Sequence, residues 1–134
     1  MDLNIVNEPW IESPFFYELL KKKRASKFLK KIATDVHEDG YCIFDLNLGS
    51  KFISDLNYDI NKAIKIGKIK KNPQIYHYNK NPRIVEAWKF SKNVSKLAKN
   101  SKLNKVLSFL YDAKPLPFST INFIGNKNII VDKL

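Results

Sequence analysis

The chain has 134 residues, 44% of them apolar and 13% aromatic, which is enough to bury the core of one domain and excludes wholesale disorder. The formal charge is +11, and 22 of the 24 cationic residues are lysines, with only Arg24 and Arg83 as arginines. Phosphate and base-edge readers favour the planar guanidinium, so this lysine excess speaks first of solubility and nonspecific association.

The reading is one domain over residues 1–134, with residues 1–12 as a loose lead-in. Ser13 followed by Pro14 predicts a helix start, proline being favoured at the first helical position. The helical signal becomes firm further on, where Phe28, Leu29, Ile32, Ala33 and Val36 recur at helical spacing along the same helix. The basic run Lys21–Arg24 then lies on its wet side or at a bend, and Gly40 ends it as a left-handed cap.

Tyr41 to Phe44 is a short β-prone run bounded by glycine and Asp45, and it predicts a strand. Ser50 is the expected N-cap of a helix with a core stripe of Ile53, Leu56, Ile60 and Ile64. Gly67 to Asn81 reads as loop. Ile84 to Phe90 and Val94 to Ala98 read as two short helices, with Ser91 capping the second. Ser101 opens another, with Leu103, Val106, Leu107 and Leu110 as its stripe. After Pro115 and Pro117, Phe118 to Ile124 alternates as a strand, Gly125-Asn126 turns, and Asn128 to Val131 adds a last strand.

Chemistry-bearing residues are few. Cys42 is the sole cysteine, so no internal disulfide can form, and no run of about 18 apolar residues exists to span a membrane. The first nine residues show no basic region followed by an apolar stretch, which speaks against a signal peptide and leaves the cytoplasm as the default compartment. The histidines are His37 and His77, neither at metal-ligand spacing. His37, Glu38 and Asp39 read as a hydrated helix end, and His77 as part of loop packing. Cys42 reads as a small buried hydrophobe, and Trp88 and Phe90 as core beside Ile84, Val85 and Ala87. Thr120 and Asn122 differ in kind: two apart on a strand, they share one side, with Ile121 and Phe123 directed to a core on the other. A polar strip of that sort lines the pocket of a barrel or jelly roll, or else faces solvent.

Three segments together resemble the phytanoyl-CoA dioxygenase family of iron(II)- and 2-oxoglutarate-dependent oxygenases. They are His37 to Asp45, then Asn81 to Ser91 with the helix ending Phe109-Leu110-Tyr111, and Lys114 to Phe123. The likeness covers roughly residues 30 to 125. It implies an α+β fold in which N-terminal helices precede the first strands of a double-stranded β-helix (a jelly roll), here incomplete. It implies Fe(II) and 2-oxoglutarate as cofactors of the intact family, acting on a small-molecule substrate, with Thr120 and Asn122 on a strand bordering the co-substrate pocket. The family's His-x-Asp pair and later histidine are not in this sequence. The expectation is therefore an N-terminal portion cut short just after Lys127, inactive alone and binding neither cofactor, whose partner is a separately encoded C-terminal half. The other class of reading is a small basic nucleic-acid-binding or protein-interaction module. Nucleic acid is disfavoured because the lysines are spread along the whole chain and no recognition motif stands out.

Overall fold

The computed structural model describes residues 8–70, 75–76 and 83–123, with the backbone alone at 67–70, 75–76 and 123. Among these, α1 is Phe16–Lys22, α2 Lys27–Asp39, α3 Ser50–Lys70, β1 Ile75–Tyr76, β2 Arg83–Val85, α4 Lys92–Ala98, α5 Ser101–Tyr111 and β3 Ile121–Phe123; a 3-10 turn, Ala87–Lys89, follows β2. The fold is mixed α and β. The described residues form two compact units, one of 8–47 and 100–116, the other of 48–70, 75–76, 83–99 and 117–123.

In the first unit α2 forms as its sequence dictates. Ser26, in an extended conformation, accepts from the Leu29 amide at 3.3 Å, and Gly40 closes the helix at φ 78° with its amide on the Val36 carbonyl. Leu29, Ile32 and Ala33 are buried and Val36 is half-buried. Phe28 falls off the stripe: it is 41% exposed, and its ring meets Phe44 edge-on at 5.9 Å. The one helix expected up to Gly40 is divided: the basic run lies at the end of α1 and in the break after it, where Lys23 is extended and ends the first helix. α5 opens at Ser101 as expected and is capped by Asn100, its Oδ1 accepting from the Leu103 amide at 3.0 Å. Val106 and Leu110 carry that helix into the core.

The lead-in supplies two core residues, Trp10 at 5% and Ile11 at 2% exposure. Trp10 stacks on Phe16 at 5.5 Å and meets the edge of Phe109 at 5.4 Å, while its indole N–H donates to the Phe109 carbonyl at 3.0 Å. The Lys23 ammonium lies 4.5 Å from the indole centroid and is held from the far side by Asp112 at 2.6 Å. Because Ser13 Oγ accepts the Phe15 amide and Ser13 O the Phe16 amide, Ser13 and Pro14 belong to a turn, and α1 begins two residues later than its proline suggests.

Tyr41 to Phe44 is not a paired strand. Its side chains still alternate, Tyr41 and Ile43 outward at 64% and 86% exposure, Cys42 and Phe44 against the core. Packing one face on helices satisfies the apolar pattern without a ladder partner.

The second unit is built on Ile60, Ile64, Ile84, Ala87 and Val94. The sheet order is β1-β2-β3, both pairs antiparallel, with Ile84 opposite Ile75 on one side and Asn122 on the other. Ile84 to Phe90 is thus strand and turn rather than helix. The β-branched Ile84 and Val85 suit the ladder, and Glu86, at φ 55°, parts the strand from the 3-10 turn at Ala87–Lys89. Ser91 caps α4 as expected, accepting from the Val94 amide at 3.1 Å. Trp88 and Phe90 are 36% and 43% exposed rather than core, since the 3-10 turn directs only Ala87 inward. In α3, Ser50 is already helical and the Gly49 carbonyl takes the Ile53 amide, leaving Ile53 45% exposed and the stripe to Leu56, Ile60 and Ile64. The helix runs through Gly67 to Lys70, and β1 also falls where a loop is predicted. The predicted turn at Gly125-Asn126 and strand at Asn128 to Val131 lie outside the described residues.

Two stability outcomes follow from the first unit. Trp10→Ala removes a buried ring with its hydrogen bond and costs about 3–5 kcal/mol, against about 5–15 kcal/mol for a whole domain. Urea unfolding followed by far-UV circular dichroism should show the midpoint collapse, with Trp10→Phe retaining more of it; equal losses would mean that ring stacking is not what holds the segment. An added Cβ at Gly40 meets nothing within 4 Å, so Gly40→Ala carries only the cost of its positive φ. That cost is about 1–2 kcal/mol, read from the same midpoint, and a neutral result would contradict the left-handed cap.

Candidate functional site

Thr120 and Asn122 stand on one side of β3 and its lead-in, as the two-residue period requires. β3 is fixed by its ladder to β2 and by the Glu86 amide, which donates to the Thr120 carbonyl at 2.6 Å. The side they share is the half-buried one, whereas Ile121 is turned outward at 56% exposure. This reverses the expected direction of Ile121; the Phe123 side chain is outside the described residues. The usual amphipathic strand is inverted here, with polar groups inside and apolar outside.

The Asn122 amide nitrogen reaches the Ile84 carbonyl only at 3.5 Å, the far edge of hydrogen-bonding range. The Thr120 hydroxyl is buried and has no partner among the described residues. A hydroxyl and a carboxamide offer donors and acceptors but no charge and no proton to give near neutral pH. They can hold and orient a polar ligand; they cannot perform acid–base chemistry.

Among the described residues no three His, Cys, Asp or Glu side chains come together as ligands. His37 is half-buried rather than hydrated: it stacks on Phe16 at 4.0 Å, and its Nδ1 is 2.6 Å from the Ile11 carbonyl. A carbonyl only accepts, so that nitrogen carries a proton and is closed to a metal. Glu38 and Asp39 remain exposed, Glu38 accepting the Tyr17 phenol, and this bond with some burial raises the Tyr17 pKa above its ordinary value. Cys42 is half-buried, and burial, with a smaller contribution from Asp35, pushes its thiol pKa up, away from nucleophilic use. His77 lies outside the described residues.

Asp59 on α3 accepts from Ser91 Oγ at 2.6 Å and Asn93 Nδ2 at 3.1 Å, tying α3 to the start of α4. It borders a cleft of ≈ 220 Å³ with Lys62, Ala63, Ile66 and Phe90. Sequence reasoning finds Ser91 as a cap but not Asp59, whose role depends on a neighbour 32 residues away. Compared with protein-family models, curated proteins and solved structures, the chain matches none. Among the described residues no helix is long and apolar enough to cross a membrane.

An unpartnered buried hydroxyl costs about 1–3 kcal/mol. Thr120→Val, nearly the same shape without the hydroxyl, should leave thermal unfolding unchanged or raise its midpoint. A clear destabilisation would mean that the hydroxyl already has a structural partner.

Proposed function

We propose that these residues form the helical layer and opening strands of an iron- and 2-oxoglutarate-dependent oxygenase-type domain of the phytanoyl-CoA dioxygenase kind. The iron ligands would come from polypeptide beyond these 134 residues, in the same protein or a separate half. The observation carrying this reading is the inversion of β3. A strand that turns Thr120 and Asn122 inward and leaves Ile121 exposed suits a sheet whose inner face borders a polar ligand and whose outer face awaits cover. The end of α2 at a left-handed Gly40 is in keeping with it, although the Tyr41–Phe44 segment that follows does not pair as a strand. In this reading Thr120 and Asn122 are positioning residues that hydrogen-bond an oxygen-rich co-substrate. The chain would supply part of a pocket wall and no step of the reaction.

Fe(II) titration of the isolated chain, with succinate release from 2-oxoglutarate as the assay, should show neither tight binding nor turnover. Joined to polypeptide carrying His-x-Asp and a later histidine, such as one encoded directly downstream, it should gain iron-dependent succinate formation. There Thr120→Val and Asn122→Leu should raise the KM for 2-oxoglutarate several-fold. Tight iron binding with turnover by the isolated chain would overturn the assignment of the ligands elsewhere. An unchanged KM in both variants would remove the pocket-wall role.

A further inference from the structure

In the first unit, the start of α2 and the flank of α5 border a cleft of ≈ 210 Å³ lined by Ser26, Phe28, Leu29, Lys102, Lys105 and Val106. Leu29 and Val106, 7% and 2% exposed, make its apolar base, and Phe28 adds aromatic surface. Lys102 and Lys105 are three apart on α5 and so are neighbours on its surface. Lys102 donates to the main-chain carbonyl of Asp45 and stands 5.4 Å from the Phe28 ring centroid. Neither lysine has a carboxylate within ion-pair distance among the described residues. Two cationic side chains thus line one mainly apolar recess, where a bound anion would attract both. The amino end of α2, marked by Ser26, adds the positive pole of a 13-residue helix to the same lining.

Size narrows the ligand. A cavity of about 150 Å³ accommodates benzene, and a water occupies about 30 Å³ of liquid. The ≈ 210 Å³ here therefore holds one ring and one anionic group. We propose that this cleft binds a small aromatic anion, its ring on Phe28, Leu29 and Val106 and its carboxylate or phosphate between Lys102 and Lys105. The proposal does not rest on the oxygenase reading, whose site residues Thr120 and Asn122 lie in the second unit.

Amide chemical shifts of the full chain, titrated with phenyl phosphate and with benzoate, test it. Saturable shifts should centre on Ser26, Leu29 and Val106, with benzyl alcohol and benzylamine each at least about tenfold weaker, a factor of ten being ~1.4 kcal/mol. Which of phenyl phosphate and benzoate binds more tightly identifies the anionic group. Lys105 is exposed and forms no ion pair among the described residues, so Lys105→Gln should leave the fold intact and weaken binding at least about fivefold, and Lys105→Glu more, by the strength of a charge-assisted bond. Lys62→Gln, in the other unit, should change nothing. Equal binding of benzylamine, equal binding of inorganic phosphate, or unsaturable shifts spread over the lysines of both units would each overturn the proposal.

Discussion

Helices of seven residues do not persist in water on their own, because nucleation costs more than two turns return. α1 has that length, and its place depends on the aromatic contact between Trp10 and Phe16. Trp10 touches Phe16 and Phe109 and gives its indole proton to the Phe109 carbonyl, so one side chain joins the entry segment, α1 and α5. Lys23 covers the outer face of the same ring and is steered there by Asp112, the left-handed residue that ends α5. The ion pair is partly exposed and contributes little alone; its use is to hold the ammonium against the indole. His37 completes the arrangement by stacking on the other neighbour, Phe16.

The second unit rests on a different constraint. Glu86 adopts a left-handed backbone between β2 and the 3-10 turn, a conformation that costs a side-chain-bearing residue about 1–2 kcal/mol. It persists because its amide is bonded to Thr120 and its neighbours Ile84 and Ala87 are fully buried. The same bend leaves Trp88 and Phe90 outside and brings Ser91 to Asp59. The inward side of β3 therefore owes its position to a turn 34 residues before Thr120 in the chain.

Features set by neighbours along the chain could be read in advance. The body and end of α2 were legible because its stripe and its terminating glycine lie close together in the chain, whereas its start at Ser26, and the break that parts it from α1, were not. Ser91 was legible for the same reason, as was the shared side of Thr120 and Asn122. Trp10 was not, since only Phe16 and Phe109 make it core. Ile84 and Val85 were misjudged because a short apolar run suits a helix as well as a strand until Glu86 is seen to break it. Which side of β3 faces inward also lay beyond the sequence: a two-residue period fixes which residues share a face, and packing alone decides where it points.

The Trp10–Phe109 bond closes a loop of 99 residues, and the whole described second unit except 117–123 is strung between its ends. Bringing the ends of so long a flexible loop together costs about 4 kcal/mol in chain entropy, from (3/2)RT ln n. During synthesis the first unit cannot close until residue 109 has emerged, long after α1 and α2. Helix α3 and the β1-β2 pairing can form in the meantime, shortening the free loop before the ends must meet. Trp10 and Phe16 can meet at once, while the contact of Trp10 with Phe109 must wait for almost the whole chain.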